Sequence, residues 1–322
     1  MSAPSGLALG SGPGARVTAM GHYQPARVVT NAELSERVAT DDAWIRDRVG
    51  IATRRIAAPE ESVTDMAAAA GGKALANSGF SAADIDMVVV GTCSGGIALP
   101  NVACQVAARL DIAAPAAFDL NTACSGFSYG LATAQHAILA GAARNALVIG
   151  AEKLSDFTDW DDRTTCILFG DGAGAAVVSA TPTAGIGPVE WGSDAANGGV
   201  LRINDRQFIQ QDGQAVFRWA TTALAPIARR ACERAGVDPA DLAAFVPHQA
   251  NLRIIQAIAK RIGAVNAVLA RDLVESGNTS AASIPLALSK LVERREVPAG
   301  APVLLFGFGG GLTYAGQVIL CP

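Results

Sequence analysis

Charge is scarce in this chain. Only 17% of its 322 residues are Asp, Glu, Lys or Arg, and half are hydrophobic, a balance that points to close packing and a large contact between subunits. The net charge of -4 excludes nucleic acid as a partner for the surface as a whole and leaves room only for a local basic patch. Histidine is scarcer still: chemistry that needs an imidazole must draw on His22, His136 or His248. There is no run of about twenty apolar residues free of glycine, proline and charge, hence no candidate for a membrane-spanning helix. Residues 1–14 lack the positive start and apolar core of a secretion signal and read as a flexible tail, so the expected compartment is the cytoplasm. The six cysteines form no CxxC pair and no spacing typical of small secreted domains, which disfavours structural zinc and a disulfide framework. Most of these thiols should be small buried hydrophobes, and only context can single one out for chemistry.

What is present is an α/β pattern. Apolar β-branched runs at Met87–Val90, Ala146–Ile149 and Pro302–Phe306 alternate with Ala-rich helical stretches, as in a sheet buried under helices. The pattern is also written twice. Gly79–Asp84 resembles Gly236–Asp241, and Phe169–Gly174 resembles Phe306–Gly311 at a shorter spacing, implying a loop missing from the second copy. Chance accounts for either match alone in a Gly/Ala-rich chain; two in one order favour duplication. The halves are then 15–183 and 184–322, meeting at a seam where residues from both can converge.

Pro115–Asn121 reads as a strand and Ser125–Ala142 as a helix, with Cys124 at the turn between them. A thiol at a helix N-terminus is expected to have its pKa drawn from about 8.5 toward neutrality. The small neighbours Ala123, Ser125 and Gly126 let another group approach the sulfur, although a buried cysteine in a tight turn fits equally well. Cys93, just past the strand ending at Val90, is placed to line the same cleft. His248 follows the strand Leu242–Val246 and precedes the helix Asn251–Ile262, at a strand end where α/β proteins place chemistry. His136 falls within the helix after Cys124, and His22 reads as a loop residue. Asn278, in Gly277-Asn-Thr-Ser280, offers an uncharged amide donor or caps the next helix. Gly309-Gly310-Gly311 lets backbone N–H groups reach a ligand, as an oxyanion hole requires. Gly170-Asp-Gly-Ala-Gly174 lacks dinucleotide-loop spacing and reads as a close backbone contact.

Taken together, Thr122–Phe127, Val246–Ile255, Gly277–Pro285 and Phe308–Gly311 closely resemble β-ketoacyl-acyl-carrier-protein synthase III, a match running from about residue 16 to the end. The resemblance implies a thiolase-like fold, layered αβαβα with two pseudo-duplicated halves, assembled as a homodimer across the sheets. It implies acyl-CoA and malonyl-acyl carrier protein as substrates, with no metal and no cofactor other than the coenzyme A thioester itself. It makes Cys124 the nucleophile, His248 and Asn278 the decarboxylation pair, and the backbone N–H groups of Cys124 and Gly310 the oxyanion hole. Asn278 discriminates: longer-chain condensing enzymes resemble Cys-His-His sites, and thiolases carry a second cysteine. The same resemblance puts adenine between Trp44 and Arg163, the coenzyme A phosphates near Arg48, and the pantetheine channel along Phe217 and Asn251. Arg253, Lys260 and Arg261, on one side of the helix after His248, form with Arg218 either a basic patch for carrier protein or a merely solvated face. Leu99 stands where some relatives place the Phe that gates the acyl pocket at the subunit interface. Two further readings keep the fold: an acyltransferase that forms no carbon-carbon bond, and a non-catalytic partner subunit.

Overall fold

A computed structural model describes residues 14–96 and 99–322. Residues 1–13 of the expected tail lie outside the described residues, and Gly14, assigned to that tail, instead opens the first strand. The first half runs β1 (Gly14–Tyr23), β2 (Arg27–Thr30), α1 (Asn31–Ser35), α2 (Asp42–Val49), β3 (Thr53–Ile56) and α3 (Val63–Ser78). It continues with β4 (Met87–Gly91), α4 (Val102–Arg109), β5 (Ala116–Leu120), α5 (Gly126–Leu139), β6 (Asn145–Glu152) and β7 (Gly172–Thr181). The second half runs β8 (Glu190–Ser193), β9 (Leu201–Ile203), β10 (Ile209–Gln211), α6 (Gly213–Ala235), β11 (Ala244–Pro247) and α7 (Leu252–Ile262). It closes with β12 (Val268–Leu269), α8 (Leu273–Ser276), α9 (Ser283–Glu293), β13 (Pro302–Gly309) and β14 (Thr313–Leu320).

Local chemistry sets several of these limits. The Ser62 side chain accepts from Asp65 N–H while the Asp65 carboxylate accepts from Ser62 N–H, starting α3, and Gly79 ends it at φ 77°. Val88, Val89 and Val90 of β4 are wholly buried, as a parallel strand covered on both faces requires. Leu131, Ala134 and Ile138 share the buried face of α5.

Duplication is visible in the sheets. Their orders are β1-β7-β6-β4-β5 and, read from the corresponding edge, β8-β14-β13-β11-β12. The pairing directions agree at every step, antiparallel for the first two and parallel for the last two. Even the strained positions repeat: Ala123, at φ 46°, opens the 3-10 turn before α5, and Ser280, at φ 47°, opens the one before α9. The second sequence match was out of register, because Phe306 lies inside β13 whereas Phe169 precedes β7. The loop it implied is there nonetheless, since residues 153–171 join β6 to β7 and only 310–312 join β13 to β14.

Three of the apolar cores hold the five layers together, the middle one reaching both faces of the central helices. Helices α3 and α4 cover the outer face of the first sheet through Met66, Ala70 and Val106. Helices α6 and α7 cover the second through Leu224, Ile254 and Ile258. Between the sheets, α5 and α9 contribute Phe127, Leu131, Ile284 and Leu288 to a shared core with Val148 and Leu305. Their N-termini therefore meet at the seam, each just after a 3-10 turn.

Candidate active site

Cys124 lies within the 3-10 turn Ala123–Ser125, and α5 begins at Gly126, one residue later than the expected start at Ser125. The backbone N–H groups of Gly310 and of Cys124 and the Ser280 hydroxyl lie around its sulfur and favour the thiolate. The first two are the pair expected to form an oxyanion hole. The thiol is not acidified, however. Burial pushes its pKa up to about 11, because removing a thiolate from water outweighs the turn's N–H groups. The expected drop toward neutrality is thereby corrected for the free protein.

His248 follows β11, its own N–H continuing the sheet to Phe306 O at 2.9 Å. The ring stands edge-on to Phe308, 5.3 Å between centroids, and is almost wholly buried. Burial alone pushes its pKa down to about 3, so the imidazole is neutral. Nδ1 lies 2.8 Å from Ser283 Oγ at the start of α9. That oxygen also accepts the Gln249 N–H at 3.3 Å; with its hydroxyl hydrogen given to Nδ1, the ring carries its own hydrogen on Nε2.

Asn278 is clamped by its backbone. Its N–H donates to Leu168 O at 2.8 Å, and its carbonyl accepts the Gly170 N–H at 3.0 Å, the close backbone contact expected of the Gly170–Gly174 stretch. Its Oδ1 accepts the Ser280 N–H at 2.8 Å. Capping and function are therefore compatible: the turn uses the oxygen and leaves Nδ2 as a donor. His248 is tied through Ser283 to the short segment 278–283 that also carries Asn278. The three residues named from sequence stand along the seam: Cys124 in the first 3-10 turn, Asn278 just before the second, and His248 after β11, packed on Phe308 of β13.

A cavity of about 750 Å³ leads to Asn278 and is lined by Trp44, Arg48, Arg163, Phe217, Arg218, Asn251 and Arg253. Thus every residue expected to contact coenzyme A borders one space. Two details differ from expectation. The Arg163 guanidinium lies 5.0 Å from the Trp44 ring centre, too close to admit a planar base between them. Arg253 covers Phe217 in the same way, at 5.3 Å. Asn251 also caps α7, accepting the Arg253 N–H at 2.9 Å. Lys260 and Arg261 are exposed on α7 away from the cavity. Leu99 is 86% exposed on the single chain and does not border the cavity, so no gating contact exists within one chain. His136 is exposed and packs edge-on to Trp191. His22 is a strand residue rather than a loop residue: β1 pairs it with Gly174 of β7, and its Nδ1 is 2.9 Å from Ser289 Oγ.

Comparison with known proteins agrees with this geometry. A family model described as 3-oxoacyl-acyl-carrier-protein synthase III matches residues 118–195, and the C-terminal model of the same family matches 232–321. The chain is 62% identical to beta-ketoacyl-acyl-carrier-protein synthase III 2 of Streptomyces avermitilis, over 96% of this chain and 99% of that one. The chain belongs to the β-ketoacyl-acyl-carrier-protein synthase III family. A Streptomyces coelicolor member, synthase III 4, is 61% identical over the same shares. A priming β-ketosynthase of a polyketide biosynthetic pathway superposes with a TM-score of 0.94 at 42% identity, covering 99% of both chains. The Aquifex aeolicus synthase III superposes at 0.92 with 38% identity, covering 95% of this chain and 100% of that one. The thiolase-like fold is common to these synthase III structures.

Three polar residues of the site were not singled out from sequence: Glu152, Ser280 and Ser283. Only Glu152 carried a signal of its own, as a lone carboxylate ending the apolar run of β6.

Proposed function

We propose that this synthase III family member condenses an acyl thioester of coenzyme A with malonyl-acyl carrier protein, losing carbon dioxide. Cys124 attacks the acyl thioester, coenzyme A departs, and an acyl-enzyme remains. The tetrahedral oxygen is held by the N–H groups of Cys124 and Gly310. Malonyl-acyl carrier protein then enters the emptied channel. As the malonyl carboxylate leaves as carbon dioxide, negative charge gathers on the thioester oxygen, which accepts from His248 Nε2–H and Asn278 Nδ2–H. The resulting carbanion attacks the acyl carbon and returns the Cys124 sulfur.

One observation carries this reading. His248 is held neutral by burial and Asn278 Oδ1 is already engaged, so the pair offers two uncharged donors. That pair suits an enolate oxygen. Adenine would stack on the outer face of the Arg163–Trp44 pair, or displace Arg163, with Arg48 near the phosphates and Phe217 and Asn251 along the pantetheine arm. The exposed cations Arg218 and Arg253 line the cavity, Lys260 and Arg261 lie further along α7, and the four suit an acidic carrier protein. The chemistry calls on no metal and no resident cofactor. We assign the chain to the cytoplasm as a homodimer. Strand β5 ends the first sheet with its outer edge unpaired and partly exposed, a surface that a twin copy would cover, and Leu99 would there meet the partner's acyl pocket.

The test separates half-reactions. His248→Ala and Asn278→Ala should still gain the acyl mass, while carbon dioxide release from malonyl-acyl carrier protein falls by about 10² to 10³ for each. Acylation without any carbon dioxide release by the unaltered protein would favour the acyltransferase reading instead.

A further inference from the structure

The two N–H groups assigned to the oxyanion hole belong to Cys124 and Gly310, far apart in sequence, and must still aim at one point. Contact between their segments is made by glycine. A Cβ on Gly309 would fall 2.6 Å from Cys124 Cβ, and one on Gly307 would fall 3.0 Å from Ser125 Cα. Such contact limits how near the segments come, but not how the Gly310 peptide is rotated. Its own backbone does not settle that either: Gly310 lies between Gly309 and Gly311, with Gly311 at φ 125°, and glycine allows many alternatives. Among the described residues, no backbone–backbone hydrogen bond joins Thr122 or the turn Ala123–Ser125 to the turn Gly310–Leu312. The angle must be set by side chains.

Two hydroxyls make the link. Thr313 Oγ1 lies 2.9 Å from Gly310 O, 3.1 Å from Thr122 O and 2.8 Å from Ser125 Oγ. Ser125 is wholly buried, with its hydroxyl 2.8 Å and its N–H 3.2 Å from Thr122 O. The hydrogens fit without conflict: Ser125 O–H donates to Thr313 Oγ1, Thr313 O–H donates to Gly310 O, and Thr122 O keeps the Ser125 N–H. An unbroken line then runs from the residue after the nucleophile to the residue that bears the second donor. Gly310 is thereby held on one side by the end of β13 and on the other by its carbonyl. Thr313 is itself well anchored. Its backbone is paired with Gly309 of β13 and with Ser193 of β8, and a β-branched side chain has little rotamer freedom. Its methyl leans on the glycine turn, since a Cβ on Gly311 would fall 2.7 Å from Thr313 Cγ2.

We propose that Thr313 is the positioning residue of the oxyanion hole: its hydroxyl, with that of Ser125, locks the Gly310 peptide to the Cys124 turn so that both N–H groups face the same oxygen. The inference rests on Cys124 being the nucleophile and on these two N–H groups holding the tetrahedral oxygen, as proposed above. Thr313 touches no reacting atom in this role. Its loss leaves the sulfur where its own turn holds it and lets one donor turn away from the oxyanion. Reactions at Cys124 should therefore divide. Attack on a thioester builds negative charge on a carbonyl oxygen and needs the hole. Displacement of iodide from iodoacetamide occurs at a saturated carbon and needs only the sulfur.

The test measures both reactions on Thr313→Val, which keeps the branched shape without the hydroxyl, and on Thr313→Ser, which keeps the hydroxyl. Acyl-enzyme formation from acyl-CoA, followed by intact mass, should fall about tenfold to a hundredfold in Thr313→Val. Alkylation by iodoacetamide, followed on the Cys124 peptide so that Cys93 does not confuse it, should stay within about twofold, and Thr313→Ser should bring acylation back to within about threefold. A merely structural role would lower both reactions together. Equal loss in both, acylation of Thr313→Val at the unaltered rate, or no recovery in Thr313→Ser overturns the proposal. Should Thr313→Val fail to fold, Thr313→Ala, which also lacks the hydroxyl, is judged by the same split. Cys124→Ala separates the two levels. Acyl mass gained by that variant removes the nucleophile reading and this role of Thr313 with it, whereas acyl mass lost there but fully kept in Thr313→Val removes the role of Thr313 alone.

Discussion

Placing one methyl group on Gly309 tests whether the nucleophile is held as described. A Cβ there would sit 2.6 Å from Cys124 Cβ and 2.8 Å from Sγ, well inside the 3.5 to 4.0 Å or so of ordinary carbon contact. Neither side has slack. Cys124 Cβ belongs to a turn fixed by Ala123 at φ 46°, and Gly309 ends a strand paired to Thr313. The sulfur must therefore move by something under ~1 Å, a displacement of the kind that costs about 10² in rate when reacting atoms must meet at about 3 to 3.5 Å. The stability cost of such overpacking is about 1–3 kcal/mol, a few degrees in Tm for a chain of this size. Gly310→Ala is the control. Its Cβ would meet Ala123 Cβ at 3.2 Å and the Leu201 side chain at an ordinary 3.7 Å, and its N–H would remain. Acyl-enzyme formation followed by intact mass should thus fall about a hundredfold for Gly309→Ala and only about threefold for Gly310→Ala. Equal acylation by the two variants would refute the placement of the sulfur against β13.

Two further outcomes follow from the same geometry. Ser283→Ala removes the donor that fixes His248 Nδ1, so the imidazole can take the tautomer that presents a lone pair at Nε2; carbon dioxide release should fall about tenfold or more while acylation is unchanged, and an equal loss in both half-reactions would point to misfolding instead. Charge reversal at Lys260 and Arg261 should raise KM for malonyl-acyl carrier protein several-fold, an effect on the order of 1 kcal/mol that shrinks with added salt; acyl-CoA turnover rates unaltered alongside an unaltered carrier-protein KM would mark that face of α7 as merely solvated.

The strands and the three site residues were legible because their signals are local. A run such as Met87–Val90 reads as a buried strand whatever surrounds it, Cys124 and Asn278 sit at junctions marked by small residues, and His248 directly follows an apolar strand. What escaped depends on distant chain. The thiol of Cys124 looked acidic from its own turn, yet β13 and segment 278–283 bury it and reverse the shift. His22 looked like a turn residue beside Gly21 and Pro25, but the bulge between Val17 and Ala19 lets β1 continue to Tyr23 against β7. Glu152 stood out only as a carboxylate ending an apolar run; its donors were hidden, since they come from the stretch after β4 and from the second 3-10 turn.

The duplication explains why the two copies carry different chemistry at matching positions. The spacing that relates Gly79 to Gly236 also relates Cys124 to Ala281 and Glu152 to Gly309, and the repeated turns confirm the first of these pairings. Where the turn carries a cysteine, the strand end beside it must be glycine, because a side chain would strike the sulfur. Where the turn carries only the methyl of Ala281, space remains for a carboxylate, and Glu152 fills it with Oε1 3.4 Å from the Ala281 N–H. Both strand ends face the one seam between the sheets, so the copy that lost the nucleophile gained room for an anion beside it. Ser280 stands in the second copy where Ala123 stands in the first, at nearly the same positive φ.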